Sequence, residues 1–139
     1  MRGGTPINAL DLKTPLTPSL ETFDYESLFP FVNKPSRYIG GEWNSVQKPE
    51  EFRKEAVGVC LCFPDLYETG FANTGIGILY WMVNRRQDAY AERAYSPDRD
   101  LADLLRAKRF PFFSLESRAP LSKFDIVAIE TIAYRGPNE

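Results

Sequence analysis

Histidine is missing from all 139 residues, and cysteine occurs only twice, at Cys60 and Cys62. Without imidazole, the chain cannot activate a serine or cysteine nucleophile through Ser-His or Cys-His pairing, and it has no imidazole metal ligand. Two cysteines are too few for a four-ligand metal centre. Residues two apart on a strand also share a face, so a disulfide between them would be strained. We read both as small apolar core residues in a reducing compartment. No apolar run approaches the roughly 18 residues of a membrane span, and the N-terminus carries no apolar core of a secretory signal, so the expected location is cytoplasmic. Charge of either sign is also scarce in excess. Lys and Arg number 17 and Asp and Glu 19, a formal net charge of -2, and strong binding to nucleic acid is not expected. Arg85-Arg86 and Lys108-Arg109 lie near the ends of expected helices, where cations either complement the helix dipole or hold an anion.

Apolar residues make up 43% of the chain, enough for one core once the N-terminal segment is set aside. Residues 1–22 contain Pro6, Pro15 and Pro18 with little periodicity, and we expect a mobile leader. Residues 23–55 read as an extension packing on the domain, and residues 56–139 as the domain itself, truncated. Asp24 to Phe29 suggests a short helix limited by Pro30 and Pro35. Arg37 to Trp43 reads as an ordered turn, with Phe29, Phe31, Tyr38 and Trp43 stapling the extension across the domain. Glu50 to Lys54 reads as a charged connection.

Ala56 to Phe63 is a continuous apolar run of strand length, ended by Pro64. It predicts a central strand covered on both faces. Asn73 is a good N-cap, and Ile76, Leu79, Tyr80 and Val83 then follow the spacing of one helix face. Ala89 to Tyr95 predicts a second, weaker strand. Ser96-Pro97 predicts a helix start, with Asp98 and Asp100 in the first turn and Leu101, Leu104 and Leu105 as its apolar stripe. Phe112 to Leu115 and Asp125 to Ile129 predict two further strands, the second buried. This alternation argues for a mostly parallel α/β sheet with flanking helices.

The candidate site is the junction after the first strand, where an open α/β sheet places its ligand. Asp65 and Glu68 could accept hydrogen bonds from a ligand or cap backbone N–H groups of the turn. Gly70 and Gly75, with Gly77, make the segment glycine-rich without matching a dinucleotide or phosphate-loop spacing. Gly75 permits close approach of a ligand or of the sheet. Pro64, Tyr67 and Asn73 complete the set, and Tyr67, Phe71, Tyr80 and Trp81 could wall a flat macrocycle or a partner surface. Nothing in the chain completes an acid–base or nucleophilic apparatus.

Four segments carry a resemblance. Tyr25 to Pro30, Asn33 to Asn44, Phe63 to Glu68 and Phe113 to Arg118 resemble, in the same order, the N-terminal region of a group of bacterial radical S-adenosylmethionine proteins. In those proteins a cobalamin-binding-type domain precedes the radical domain. The resemblance covers roughly Tyr25 to Val127. It implies a Rossmann-like, cobalamin-binding-type fold and a radical S-adenosylmethionine domain as partner, in cis or in trans. It also implies S-adenosylmethionine and a four-iron four-sulfur cluster in a full-length parent only, because the Cys-x-x-x-Cys-x-x-Cys motif is absent from this chain. Cobalamin, if bound, would lie over Pro64 to Gly75 without a histidine below the cobalt. The expected role is a cofactor-binding-type module, catalytically incomplete alone; the alternative is an interaction domain that keeps the fold without cobalamin.

Overall fold

The apolar run after Ala56 folds as β1, Val57–Phe63, and pairs in parallel on both sides. The computed structural model describes residues 23–130; the expected leader, residues 1–22, lies outside them. β2, Ala89–Tyr95, and β3, Ile126–Ile129, flank β1, giving the order β2-β1-β3. Register runs Val57 with Ala89 to Phe63 with Tyr95, and Val59 with Ile126 to Cys62 with Ile129. The sheet is open and wholly parallel, and the expected α/β class is what the chain adopts.

Helix α4, Thr74–Asn84, crosses from β1 to β2. Asn73 caps it as expected, its side chain accepting from the Ile76 N–H at 3.0 Å. Ile76 and Tyr80 pack on Leu61, Phe63, Ala91 and Tyr95. Leu79, predicted to share that face, is exposed, and Asn84 is buried in its stead. On the other face of the sheet, Cys60, Tyr90 and Ala94 pack with Phe124 and Phe52. Phe52 belongs to α2, Glu50–Glu55, so the stretch read as a charged connection is a short helix.

Helix α5, Arg99–Lys108, starts two residues later than Ser96-Pro97 suggested. Ser96 instead donates its N–H to the Asp65 carbonyl at 2.9 Å, tying the end of β2 to the turn after β1. Asp98 is the cap, with Oδ1 2.7 Å from the Arg99 nitrogen, and a carboxylate is favoured at a helix N-terminus. Leu101 and Leu105 on α5 meet Tyr25, Leu28, Phe29, Val32 and Tyr38 of the N-terminal extension. That extension contains the 3-10 turn Glu26–Phe31 and α1, Ser36–Ile39, a single helical turn within the segment read as a turn. Gly40 follows at φ 73°, and a Cβ there would meet the Leu115 carbonyl oxygen at 2.8 Å, so only glycine fits. Phe29 and Tyr38 are buried, whereas Phe31 is exposed and Trp43 is 96% exposed; the expected staple uses only half of its aromatics.

Two further expectations are corrected. Phe112 to Leu115 is not a strand but runs along the outer edge of β2, with one bridge from Phe113 to Pro120. β3 is not buried: Ile126 and Val127 are exposed and Ile129 is 64% exposed. Its apolar residues have the composition of an inner strand, yet among the described residues β3 pairs on one side only.

Candidate functional site

The junction after β1 is built from Pro64 to Ala72 and the N-terminus of α4. Its middle folds as α3, Tyr67–Phe71. Pro64, Asp65 and Glu68 are exposed. Asp65 caps its own turn, with Oδ1 2.7 Å from the Leu66 nitrogen. Glu68 accepts from Arg37 Nε at 2.9 Å and lies 3.7 Å from Lys34 Nζ. Tyr67 donates its hydroxyl to Glu42 at 2.8 Å. Burial, then Glu42, pushes that phenol well above its ordinary range. Asn73 is spent on the helix cap. Gly70 lies under the Tyr95 ring, where a Cβ would collide, and a Cβ on Gly75 would lie 2.7 Å from Glu130 Oε1 beyond β3. The seven predicted residues therefore do converge at the carboxyl end of the sheet. Tyr67, Glu68 and Asn73 already have protein partners there.

A cavity of about 360 Å³ lies one helix turn further on, over the α4 face of the sheet. Phe71, Ile76, Tyr80, Trp81, Arg93 and Tyr95 supply most of its wall. Asn44 and Val46 close one side, held there by the Val46 N–H donating to the Tyr80 hydroxyl at 2.7 Å. Burial raises the Tyr80 and Tyr95 phenols to about 12, so both are neutral donors at pH 7. The Tyr95 hydroxyl is buried without a hydrogen-bond partner among the described residues.

Beside the cavity sits a buried charge cluster that sequence reasoning passed over. Arg93 is 4% exposed and donates from Nε to Glu116 Oε1 at 2.7 Å, with Glu42 Oε2 3.4 Å from Nη2. The Arg93 backbone N–H also donates to Glu116 Oε2 at 2.7 Å. Burial pushes the Glu116 carboxyl upward, and Arg93 pulls it back. The guanidinium stands 4.3 Å from the Tyr80 ring centre. Its neighbour Glu92, on the opposite face of the sheet, accepts from Ser114 Oγ at 2.5 Å and Ser117 Oγ at 2.7 Å. A signal was available: Glu92-Arg93 is a charged pair inside an apolar strand, and buried charges must find partners.

The same contacts close the edge of β2. Asn84 accepts from the Ala91 N–H at 3.0 Å and donates to the Ala91 carbonyl at 3.1 Å. Leu115 donates to the Arg93 carbonyl at 2.7 Å while Glu116 takes the Arg93 N–H. The outward-facing backbone groups of Ala91 and Arg93 are thereby occupied and cannot pair with another strand. Phe113 to Arg118 reaches back further: Arg118 pairs with Glu26 and donates to the Ile39 carbonyl at 3.0 Å. The four segments that carry the resemblance thus brace one another, which is a structural use for them.

Cys60 and Cys62 stand side by side on β1 with sulfurs 3.8 Å apart and are not bonded. The contact with Cys62, and then burial, push the Cys60 thiol up. Among the described residues no three His, Cys, Asp or Glu side chains gather as a metal centre, and no helix is long and apolar enough to cross a membrane.

The family described as radical SAM proteins, N-terminal, matches residues 75–134, from the first turn of α4 past β3. The match covers under half of the chain and takes in one of the four resembling segments, Phe113 to Arg118. It supports the N-terminal region of a radical S-adenosylmethionine protein. No curated protein and no solved structure matches the chain.

Proposed function

We propose that the chain is a non-catalytic N-terminal module of a radical S-adenosylmethionine protein and that it docks on the radical domain through α4 and β3. One observation carries this reading. Ile78, Leu79, Trp81 and Met82 are exposed on α4, and Ile126, Val127 and Ile129 on β3, all within the matched segment. A helix apolar on its outer side and an uncovered apolar edge strand call for a partner surface. The radical domain, in cis or trans, is the occupant that the family match favours. The iron–sulfur cluster and S-adenosylmethionine belong to that domain, since two adjacent cysteines on one buried strand cannot supply a three-cysteine cluster site. The test is association of the purified chain with the purified radical domain from the same genome. Trp81→Glu is expected to weaken it at least about tenfold, the scale of one buried aromatic anchor. Equal binding by wild type and Trp81→Glu would remove the proposal.

A second reading, a cobalamin module, is favoured by the strand order. In the order β2-β1-β3 the loop Pro64 to Gly75 lies where the chain reverses direction across the sheet, the usual ligand position of open α/β folds. The loop offers backbone groups and the Tyr67 ring but no cobalt ligand. Titration with hydroxocobalamin, followed by its visible spectrum, separates the readings. An unchanged spectrum at high micromolar protein eliminates cobalamin and leaves docking intact.

A further inference from the structure

We propose that two copies of the chain pair about a two-fold axis, each placing its Trp43 indole in the other's cavity between α4 and β2. Trp43 is the most exposed large apolar side chain among the described residues. It stands on a tight turn, closed by the Ser45 N–H donating to the Glu42 carbonyl at 2.8 Å. Both ends of that turn are tied down. The Glu42 carboxylate accepts from the Tyr67 hydroxyl and faces Arg93. Val46 donates its N–H to the Tyr80 hydroxyl, and Gln47 donates from Nε2 to the Glu116 carbonyl at 2.5 Å. A turn held in this way presents its indole as a pre-organised anchor, because little freedom is lost when a partner buries the ring.

The occupant follows from what lies beside the turn. Asn44, the residue after Trp43, and Val46 form one wall of the cavity, so knob and hole share one surface. A two-fold contact needs a single patch that carries both halves, each copy filling the hole of the other. The turn keeps the ring out of its own cavity, since the side chain stands almost wholly in water. The hole also suits an indole. Its space of about 360 Å³ is roomy enough for the ring, and Phe71, Tyr80 and Trp81 offer faces and edges for aromatic contact. Phe71 and Trp81 are themselves exposed, so the mouth is open. Arg85 and Arg93 on its wall are matched in number by Glu42 and Glu116, and a neutral guest is the complement. Two-fold symmetry makes the contact twice, burying one of the largest apolar side chains each time.

Sedimentation equilibrium of the full chain tests the pairing. The mass is expected to rise from one chain toward two as concentration approaches about 100 µM, the range of a small interface. Trp43→Ser removes the knob, and Gly77→Leu fills the hole. Gly77 lines the cavity, and a Cβ built on it meets nothing within 4 Å, so leucine enters without a backbone clash. Each variant is expected to weaken pairing at least about tenfold. Neither should melt below the wild type, since Trp43 is exposed and replacing a mid-helix glycine favours the helix. Trp81→Phe keeps an aromatic wall and leaves Trp43 as the single tryptophan of the chain. Its emission should then move to shorter wavelength, and quenching by iodide should fall, as concentration rises. A mass of one chain at about 100 µM overturns the proposal. So does a dimer that survives Trp43→Ser or Gly77→Leu at full strength. Trp43 emission that is blue-shifted equally at every concentration would put the ring in its own cavity and overturn it as well. All of this is read on the chain alone, so its failure leaves docking on the radical domain untouched.

Discussion

Arg93 shows what a single side chain decides in this molecule. A guanidinium 4% exposed inside a parallel strand is tolerable only because Glu116, its side chain fully buried, meets it at 2.7 Å. Removing one member of such a pair strands the other charge away from water. Arg93→Met is expected to lower unfolding free energy by about 3–5 kcal/mol, measured by urea denaturation. The double variant Arg93→Met with Glu116→Gln should recover part of that loss. If the two substitutions add without coupling, the pair is not the unit described here. Arg118, left-handed at φ 54°, is a second costly residue. It is held by Glu26, by the Ile39 carbonyl and by the Phe29 ring 5.4 Å away.

Among the elements, α4 has the clearest local origin. Its cap accepts one of the N–H groups that a helix start leaves unpaired, so Asn73→Ala should cost about 1 kcal/mol. Ser96→Ala, at the start that sequence favoured for α5, should change stability by under about 0.5 kcal/mol, since Asp98 holds the cap. Urea midpoints of the two variants decide between these assignments; a loss at Ser96 equal to that at Asn73 would reverse the second. β1 was legible because a continuous apolar run bounded by proline has few other fates. β3 was misread for the converse reason: Ile126 to Ile129 has an inner strand's composition, and composition cannot tell burial within the domain from a surface awaiting a partner. One-turn helices such as α1 and α3 leave no period to detect. The predicted loop residues did gather, since adjacency in sequence guaranteed it. The cavity and the Glu42–Arg93–Glu116 cluster did not show, since their members come from segments tens of residues apart and only the sheet register brings them together.

At the scale of the whole molecule, Arg37 joins three regions. From α1 it donates to Glu68 on α3 at 2.9 Å and to Asp98 at the start of α5 at 2.7 Å. These bonds hold both carboxyls below their ordinary values of 4.5 and 3.8. The folded state then binds fewer protons than the unfolded chain in that range. The stabilisation is therefore complete above about pH 5 and is lost as pH falls through the lowered values. Both carboxylates are half-exposed, so the effect is screened by salt. Melting temperature should decline between about pH 5 and pH 3, and Arg37→Gln should make that decline shallower. Parallel slopes for the two proteins would mean that the acid limb arises elsewhere, for instance at Asp88 beside Arg86.

The spacing of the buried cluster also bears on synthesis. Glu42 leaves the ribosome 51 residues ahead of Arg93, and Glu116 follows 23 residues behind it. A nascent chain halted between Arg93 and Glu116 holds a guanidinium whose nearer counter-charge does not yet exist, and only the 3.4 Å partner, Glu42, is on hand. The closer of the two ion pairs, Arg93 with Glu116, therefore cannot form before Glu116 has been made.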